Sequence, residues 1–238
     1  MKYFVVLVFI SVALSANLPE GTKLCHKSDN FNECLKDALE DALGRFAKGF
    51  KPLGIKEIDP LTITEFSSEN EGFSQFFKNV KIHGGTNTKF RKVRMDWDKL
   101  ELYIESFTPH SEMIGDYSFK GTLISFSIDS AGKFKIVSDN ILSEHHIQME
   151  RFQKNGKNHI RIVSWKIKNK PTSLHYSFDN LIPGNEELSK TIMNTMNENA
   201  LQIYKELGGA FDEVYGEVHK TVGNQVFGKI PEDELFLP

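Results

Sequence analysis

The sequence predicts an α+β protein in which a long antiparallel β region lies between two helical regions. Apolar residues recur at helical spacing near the two ends of the chain, whereas between residues 58 and 178 they alternate with polar residues at a period of two. No helical pattern separates the predicted strands. Because parallel strands need long crossover connections, this order excludes a parallel α/β fold.

The composition is that of an ordinary globular protein. The chain has 238 residues, of which 39% are apolar and 26% charged, and its formal net charge is −3. These values argue against a collagen, a disordered tail and a multi-span membrane protein. The net charge is too small to indicate the excess of basic residues that is typical of nucleic-acid-binding proteins, so no nucleic-acid partner is expected. Phenylalanine is frequent, with 19 copies against 2 tryptophans, which hints at an apolar interior.

Residues 1–16 have the pattern of a secretory signal peptide. A positively charged start precedes an apolar run from 3 to 14, which is too short to span a bilayer and typical of a signal sequence. Cleavage is expected after Ser15 or after Ala16. A buried N-terminal helix is the alternative, which the proline that soon follows disfavours. Residues 17–238 should then form one secreted domain without stable membrane insertion.

The chain has two cysteines, Cys25 and Cys34. Secretion would permit a disulfide bond between them, and their spacing fits neither a CxxC redox motif nor a zinc site. An intramolecular structural bridge is favoured. Two free thiols or an intermolecular link are the alternatives.

The first helix is the clearest local signal. We expect it to begin near Phe31 after capping candidates at residues 28–30, and to end at Gly49 and Pro52. Its apolar residues form one stripe at steps of three and four, typical of an amphipathic helix: Phe31, Cys34, Leu35, Ala38, Leu39, Ala42, Leu43 and Phe46.

The β region is divided by three glycine-containing turn signals. Alternating apolar runs indicate a sheet with one buried and one solvent-exposed face. Short connections between the predicted strands favour an antiparallel meander. The expected turns are Gly84-Gly85, Ser130-Ala131-Gly132 and Asn155-Gly156, the last being the strongest hairpin signal.

The second helical region begins near Glu186 and keeps its three-four spacing to Val226. At 1.5 Å per residue, about 40 residues would reach roughly 60 Å. Its one-sided apolar stripe favours a helix that lies along the β surface. Gly208-Gly209 should bend or break it, and two core helices joined at these glycines are the alternative.

Motifs for catalysis or metal binding are not found. The sequence has no GxSxG, HExxH, GxGxxG or Walker-type motif. His145 and His146 are adjacent, so in a strand they point to opposite faces and cannot share a metal. We therefore predict no enzyme, no metal and no cofactor. A hydrolase with dispersed catalytic groups is a less favoured alternative.

Several short segments, in this order and spacing, resemble the insect takeout and juvenile hormone binding protein family over essentially the whole mature chain. The cysteine pair with a single possible bridge is more similar to takeout proteins than to the moth hormone carriers. The segments are FNECL (31–35), GIKEIDPL (54–61), NVKIHG (79–84), GDYSFKGTL (115–123), GKF (132–134), FDNLIPGNEEL (178–188), NEN (197–199) and PEDELF (231–236).

The resemblance implies a long C-terminal helix wrapped by a strongly curved antiparallel sheet, a tubular lipid-binding fold that encloses an apolar tunnel. It also implies a secreted carrier for a small lipophilic ligand such as a juvenile-hormone-like terpenoid or a fatty acid. The alternative is an extracellular signalling or interaction protein with a vestigial cavity, whose protein partner is unknown.

The expected tunnel lining combines inward residues of the sheet with residues of the last helical region, and ordinary core packing is the alternative for each of them. Three tyrosines are candidates for polar contacts with the ligand: Tyr117, Tyr176 and Tyr204. The apolar candidates are Val93, Met95, Trp97, Phe126, Ile136, Met196, Ile203, Leu207 and Phe211.

Overall fold

The structure is a computed structural model that describes residues 18–70, 72–123 and 125–238. The signal peptide expected at residues 1–16 lies outside these ranges, as does Ile124 of the predicted strand pattern. In the described part of the chain, no helix is both long and apolar enough to cross a membrane.

The first helix, α1, runs from Phe31 to Phe46 and confirms the predicted amphipathic helix. It follows the short strand β1 (Cys25–His26), and Asn30 is its N-cap residue. Phe31, Leu35 and Phe46 of the predicted stripe are buried. A 3₁₀ turn at Lys51–Leu53 then leads towards the sheet.

The β region forms one seven-stranded sheet in which every pairing is antiparallel. The sheet is curved, as the family resemblance implies. Its strands are β2 (Leu61–Asn70), β3 (Phe73–His83), β4 (Lys89–Asp96), β5 (Glu101–Leu123), β6 (Phe126–Lys154), β7 (Lys157–Lys170) and β8 (Ser173–Phe178).

The strand order differs from a simple meander, because β5 and β6 are much longer than their neighbours. The first half of β5 pairs with β4 and its second half with β3. The first half of β6 pairs with β8 and its second half with β7. The sheet therefore has two halves that share β5 and β6 but have different outer strands.

One predicted turn is wrong. Ser130-Ala131-Gly132 lies inside β6 and continues the ladder with β5. Gly132 is needed there for a close approach, because a Cβ atom on it would lie 2.4 Å from the backbone oxygen of Asp179. By contrast, the hairpin at Asn155-Gly156 is confirmed, and both residues have the positive φ that its tight turn requires.

The second helical region consists of three helices in succession: α2 (Glu186–Glu198), α3 (Ala200–Leu207) and α4 (Gly209–Phe227). Its start near Glu186 and its break at Gly208 are confirmed. The break at Asn199 was not predicted. Gly216 allows α4 to lie directly on β7, since a Cβ atom there would meet the backbone oxygen of Trp165 at 2.2 Å.

Asparagine side chains join these helices to free strand edges. On β8, the backbone N–H of Tyr176 donates to Oδ1 of Asn197 (2.7 Å), whose Nδ2 donates back to the Tyr176 carbonyl (3.0 Å). Asn224 of α4 makes the same two bonds to Ile162 of β7. Each amide thus replaces the missing neighbouring strand.

The two ends of the chain meet next to α1. Strand β1 pairs in parallel with β9 (Phe236–Leu237), which follows the short helix α5 (Glu232–Leu235). Cys25 and Cys34 are disulfide-bonded to each other, which confirms the intramolecular pairing. The bridge ties β1 to the first turns of α1.

We expect Cys34→Ser to lower the free energy of unfolding by about 2.5–3 kcal/mol, because the unfolded chain regains the entropy of an open ten-residue loop. Urea denaturation of the variant, and of the unchanged protein with and without reductant, measures this. The reduced unchanged protein should resemble the variant. An unchanged unfolding midpoint would show that the bridge does not stabilise the fold.

We expect Asn197→Ala to cost about 1–3 kcal/mol, because it leaves the N–H and C=O groups of Tyr176 without partners. Asn194→Ala is the matched control, since Asn194 lies on the same helix with its side chain exposed. Equal destabilisation of the two variants in urea denaturation would contradict this role for Asn197.

Candidate functional site

The interior of the described part of the chain contains two large apolar clusters, one in each half of the sheet, and a smaller third cluster around Phe46 and Leu53. The first cluster lies between β2, β3, β8 and the helices α2, α3 and early α4. The second lies beneath α1 and the end of α4, against β4 and β7. Because the two halves share only β5 and β6, each cluster is a separate candidate for binding an apolar molecule.

The first cluster contains a cavity of about 20 Å³. Side chains of the sheet and of α2, α3 and α4 line it, and no charged side chain is among them. The lining residues are Phe73, Gln75, Phe77, Phe119, Leu123, Ile136, Tyr176, Phe178, Met196, Ile203, Tyr204, Leu207, Gly208 and Phe211.

The structure brings most of the predicted lining residues together at this cavity. Tyr117 and Phe126 belong to the same apolar cluster without lining the cavity. The predicted residues that do line the cavity are Ile136, Tyr176, Met196, Ile203, Tyr204, Leu207 and Phe211.

Three predicted lining residues lie elsewhere, in the second cluster: Val93, Met95 and Trp97. Val93 pairs with Ile104 on β5, whereas the cavity residue Ile136 pairs with Met113 on the same strand. These two positions are nine residues apart on β5, which is about 30 Å along the strand. A single small ligand cannot contact both places.

Several lining residues were missed from the sequence, although one signal could have found them. Phe73, Gln75 and Phe77 are two residues apart on β3, so they share the inward face. Phe119 and Phe178 also alternate along their strands with outward residues. Five of the 19 phenylalanines therefore line this cavity.

Aromatic packing explains why the cavity is small. The ring of Phe77 lies 5.0–5.6 Å from the ring centroids of Phe66, Phe119, Phe134 and Phe211. The remaining space could hold about one water molecule, whereas sites for drug-sized ligands have about 300–1,000 Å³. The expected open tunnel is therefore not found here, and a ligand would have to displace these side chains.

Two tyrosine hydroxyl groups supply the polar character of the cavity wall. Tyr176 donates a long hydrogen bond of 3.4 Å to the carbonyl oxygen of Ala200, and Tyr204 donates to Asp212 at 3.2 Å. Burial raises the pKa of both tyrosines well above its ordinary value. They are therefore neutral at physiological pH, and each hydroxyl would donate to a ligand only by giving up its present hydrogen bond.

Asp212 anchors Tyr204 next to the break at Gly208. Its carboxylate accepts hydrogen bonds from the backbone N–H of Asn169 (3.3 Å) and from the Nδ2 of the same residue (2.6 Å). Burial raises the pKa of Asp212, and these donors partly oppose that rise. The cluster fixes α4 to the end of β7 and keeps the Tyr204 side chain against the cavity.

A buried serine–histidine pair lies outside the cavity, between β5, β6 and α4. Nε2 of His145 lies 2.9 Å from Oγ of Ser106, and the indole N–H of Trp165 donates to Nδ1 of His145 at 3.2 Å. Because an indole can only donate, Nδ1 is unprotonated and Nε2 carries the proton of the neutral ring. The imidazole thus donates to Ser106 and cannot accept its proton, so this contact is not that of an activated nucleophile.

Residues 18–70, 72–123 and 125–238 contain no group of three or more His, Cys, Asp or Glu side chains that could hold a metal ion. His145 and His146 lie on opposite faces of β6. His145 contacts Ser106 and Trp165, whereas His146 stacks on Tyr103.

These features define a class of protein: an elongated α+β fold in which helices cover the apolar face of a curved sheet. The chain is similar in structure to Takeout 1 of Epiphyas postvittana, with a TM-score of 0.80 at 21% sequence identity over 91% of this chain and 100% of that one. A second structural match is lipopolysaccharide binding protein, with a TM-score of 0.38 at 13% sequence identity over 87% of this chain and 39% of that one. No curated protein sequence matches the chain.

The family model for haemolymph juvenile hormone binding proteins matches residues 4–237. The chain therefore belongs to this family, and the resemblance noted in the sequence is confirmed.

Two buried neutral histidines, His145 on β6 and His219 on α4, make the stability depend on pH. Burial lowers the pKa of His145 to about 3, and it also lowers the pKa of His219. In the unfolded chain a histidine titrates near 6.5. Below that pH the unfolded state binds more protons than the folded state, so stability falls as the pH decreases.

We expect His145 alone to remove roughly 1–2 kcal/mol of stability between pH 6.5 and pH 5, because the slope rises from half of its limit of about 1.36 kcal/mol per pH unit at pH 6.5 towards that limit. Urea denaturation of His145→Gln at both pH values should show a loss smaller by about this amount than that of the unchanged protein. His175→Gln is the control, because His175 is exposed on β8. A loss identical in all three proteins would show that His145 does not cause the acid sensitivity.

Proposed function

We propose that this protein is a secreted carrier that binds one small hydrophobic molecule, such as a juvenile-hormone-like terpenoid or a fatty acid, inside the first apolar cluster. The observation that carries the proposal is the cavity lining, which is apolar and aromatic without a charged side chain. Membership of the haemolymph juvenile hormone binding protein family supports it. The disulfide bond agrees with secretion, since such bonds persist in oxidising compartments.

Binding on this proposal requires the interior to open. Met196 and the rings around Phe77 would have to change rotamer, because the cavity of about 20 Å³ does not hold such a ligand. Methionine is suited to this, since its flexible side chain adapts to irregular shapes. The break at Gly208 gives α3 and α4 a point about which they can separate.

The affinity of such a carrier can be bounded from burial alone. A ligand of about 19 non-hydrogen atoms at roughly 0.4 kcal/mol per atom would bind with about 8 kcal/mol, which is micromolar. Opening the aromatic cluster costs part of the gross burial energy. The Tyr176 hydroxyl, whose present hydrogen bond is long at 3.4 Å, would select ligands that carry one oxygen acceptor.

The proposal includes a non-enzymatic role, which the composition of the cavity lining supports. The cavity lining offers tyrosine hydroxyls, one glutamine and no imidazole or carboxylate, and the Ser106–His145 pair has the wrong direction of hydrogen bonding for attack. Neither cofactor nor metal is part of the proposal.

The second candidate is an extracellular interaction protein whose cavity is vestigial. One observation favours it: the aromatic side chains fill the interior so that only about 20 Å³ remains. This candidate predicts that no lipophilic probe is taken up.

We expect Leu207→Arg to abolish uptake of a fluorescent fatty-acid probe, or to weaken it by about tenfold or more, because it places a charge against the apolar cavity. Leu201→Arg is the matched control on the same helix, since the Leu201 side chain is 48% exposed. Titration of the probe into both variants, with displacement by a terpenoid, measures the effect.

Uptake by the control variant and by the unchanged protein, with loss only in Leu207→Arg, supports the carrier. Equal uptake by all three proteins would remove this cavity from the binding site. Absence of uptake by the unchanged protein would support the interaction candidate instead.

A further inference from the structure

The outward face of β4–β7 carries a cleft that the carrier function does not use. It has a volume of about 510 Å³, and its charged lining residues alternate along the strands with residues of the second apolar cluster, of which Ile104 also borders the cleft. Its wall is formed by four neighbouring strands. The lining residues are Lys92, Arg94, Tyr103, Ile104, Glu105, Glu144, His145, His146, Lys166, Ile167 and Lys168.

The strand register sets these side chains in two rows across the cleft. One row is Arg94, Tyr103, His146 and Lys166, each opposite the next on the neighbouring strand. Three strand spacings separate its ends, which is about 14 Å between backbones. Two cationic side chains long enough to lean inward thus flank a pair of aromatic rings.

The second row contributes both signs of charge. Lys92 pairs with Glu105 at 3.3 Å, and Glu144 contacts Lys170. These two carboxylates are therefore already neutralised by cations. Lys168 ends the row on β7 opposite Glu144, whose carboxylate contacts Lys170 instead.

Three cations at the cleft have no carboxylate within 4.0 Å among the described residues: Arg94, Lys166 and Lys168. All three are exposed. Four cationic side chains line the cleft against two carboxylates, although the whole chain carries a net charge of −3. Such a concentration of unpaired cations in a concave surface favours an anionic ligand.

The aromatic floor holds one of these cations in place. The Tyr103 and His146 rings are stacked, with centroids 4.5 Å apart, and the guanidinium of Arg94 lies 4.7 Å from the Tyr103 centroid. The Tyr103 hydroxyl donates to Glu101 at 2.7 Å, which fixes the ring. Stacking leaves the N–H groups of Arg94 in their planar fork free for an anion.

His146 adds a polar atom that makes no hydrogen bond to the described residues. Its Nε2 is shielded from solvent and has no hydrogen-bond partner in the described part of the chain, and the nearest carboxylate oxygen, of Glu101, is 3.8 Å away. Unsatisfied buried polar atoms are uncommon in proteins. This one lies in the ring stack that forms the floor of the cleft.

We propose that this cleft is a second binding site, for a phosphate group presented by a small molecule or by a lipid headgroup. Arg94 supplies paired donors that match the geometry of phosphate oxygens, and Lys166 and Lys168 supply point charges from the opposite wall. A dianionic phosphate ester matches the excess of positive charge that four cations and two carboxylates leave in the cleft lining. The site lies on the opposite face of the sheet from the protein interior, so the two sites can be tested separately.

The test compares two double variants that lose the same charge. Lys166→Gln/Lys168→Gln alters the cleft, and Lys190→Gln/Lys205→Gln removes two exposed lysines of α2 and α3 far from it. Phenyl phosphate is titrated calorimetrically, and sedimentation measures binding to phosphatidylcholine vesicles with and without phosphatidate. Urea denaturation and fatty-acid probe uptake establish that both variants fold.

We expect the cleft variant to bind the phosphate probe about tenfold more weakly, because two charge-assisted contacts are lost, and the control variant to bind it as the unchanged protein does. Binding should also weaken as salt is added. Binding of phenyl phosphate identifies a soluble ester as sufficient, whereas binding only of phosphatidate vesicles identifies the lipid headgroup. Binding of neither probe, or equal weakening in both variants, would overturn the proposal.

Discussion

The structure depends on one constraint: the apolar face and the free edges of an open sheet must both be covered by the same helices. Asn197 and Asn224 supply the hydrogen bonds that missing strands would have made to β8 and β7. Unpaired buried peptide groups would each cost on the order of 1–3 kcal/mol, so these two amides fix the depth and the register of the helices. Gly216 then lets α4 approach the backbone of β7, where any larger residue would hold it away.

This constraint explains where the interior can yield and where it cannot. Between the two amide contacts lies the break at Gly208, next to the cavity, and here α3 and early α4 touch the sheet through side chains such as Phe211 against Phe66 and Phe77. Aromatic side chains can move without breaking backbone hydrogen bonds. On the carrier proposal, this closed stretch of the core is therefore where the interior would open at the lowest cost.

Sequence periodicity predicts most of the fold here because it records burial. The stripe from Phe31 to Phe46 and the alternation in the strands survive in the structure as buried faces. Glycine is less informative, since it serves either a turn or a close approach. Gly156 serves a turn, whereas Gly132 lies mid-strand against the backbone of Asp179. Only the neighbour in space distinguishes these uses, so the extent of β6 could not be predicted from the sequence.

The candidate site shows the same limit at longer range. Alternation correctly assigns Val93 and Ile136 to inward faces, and both are buried. It cannot say that they face different clusters, because that depends on which half of β5 each partner strand joins. Strand β4 pairs with the first half of β5, which places its inward residues beneath α1. Strand β3 pairs with the second half of β5, which places its inward residues beneath α3. The length of β5 and β6, rather than the character of any side chain, therefore separates the residues that can share one ligand from those that cannot.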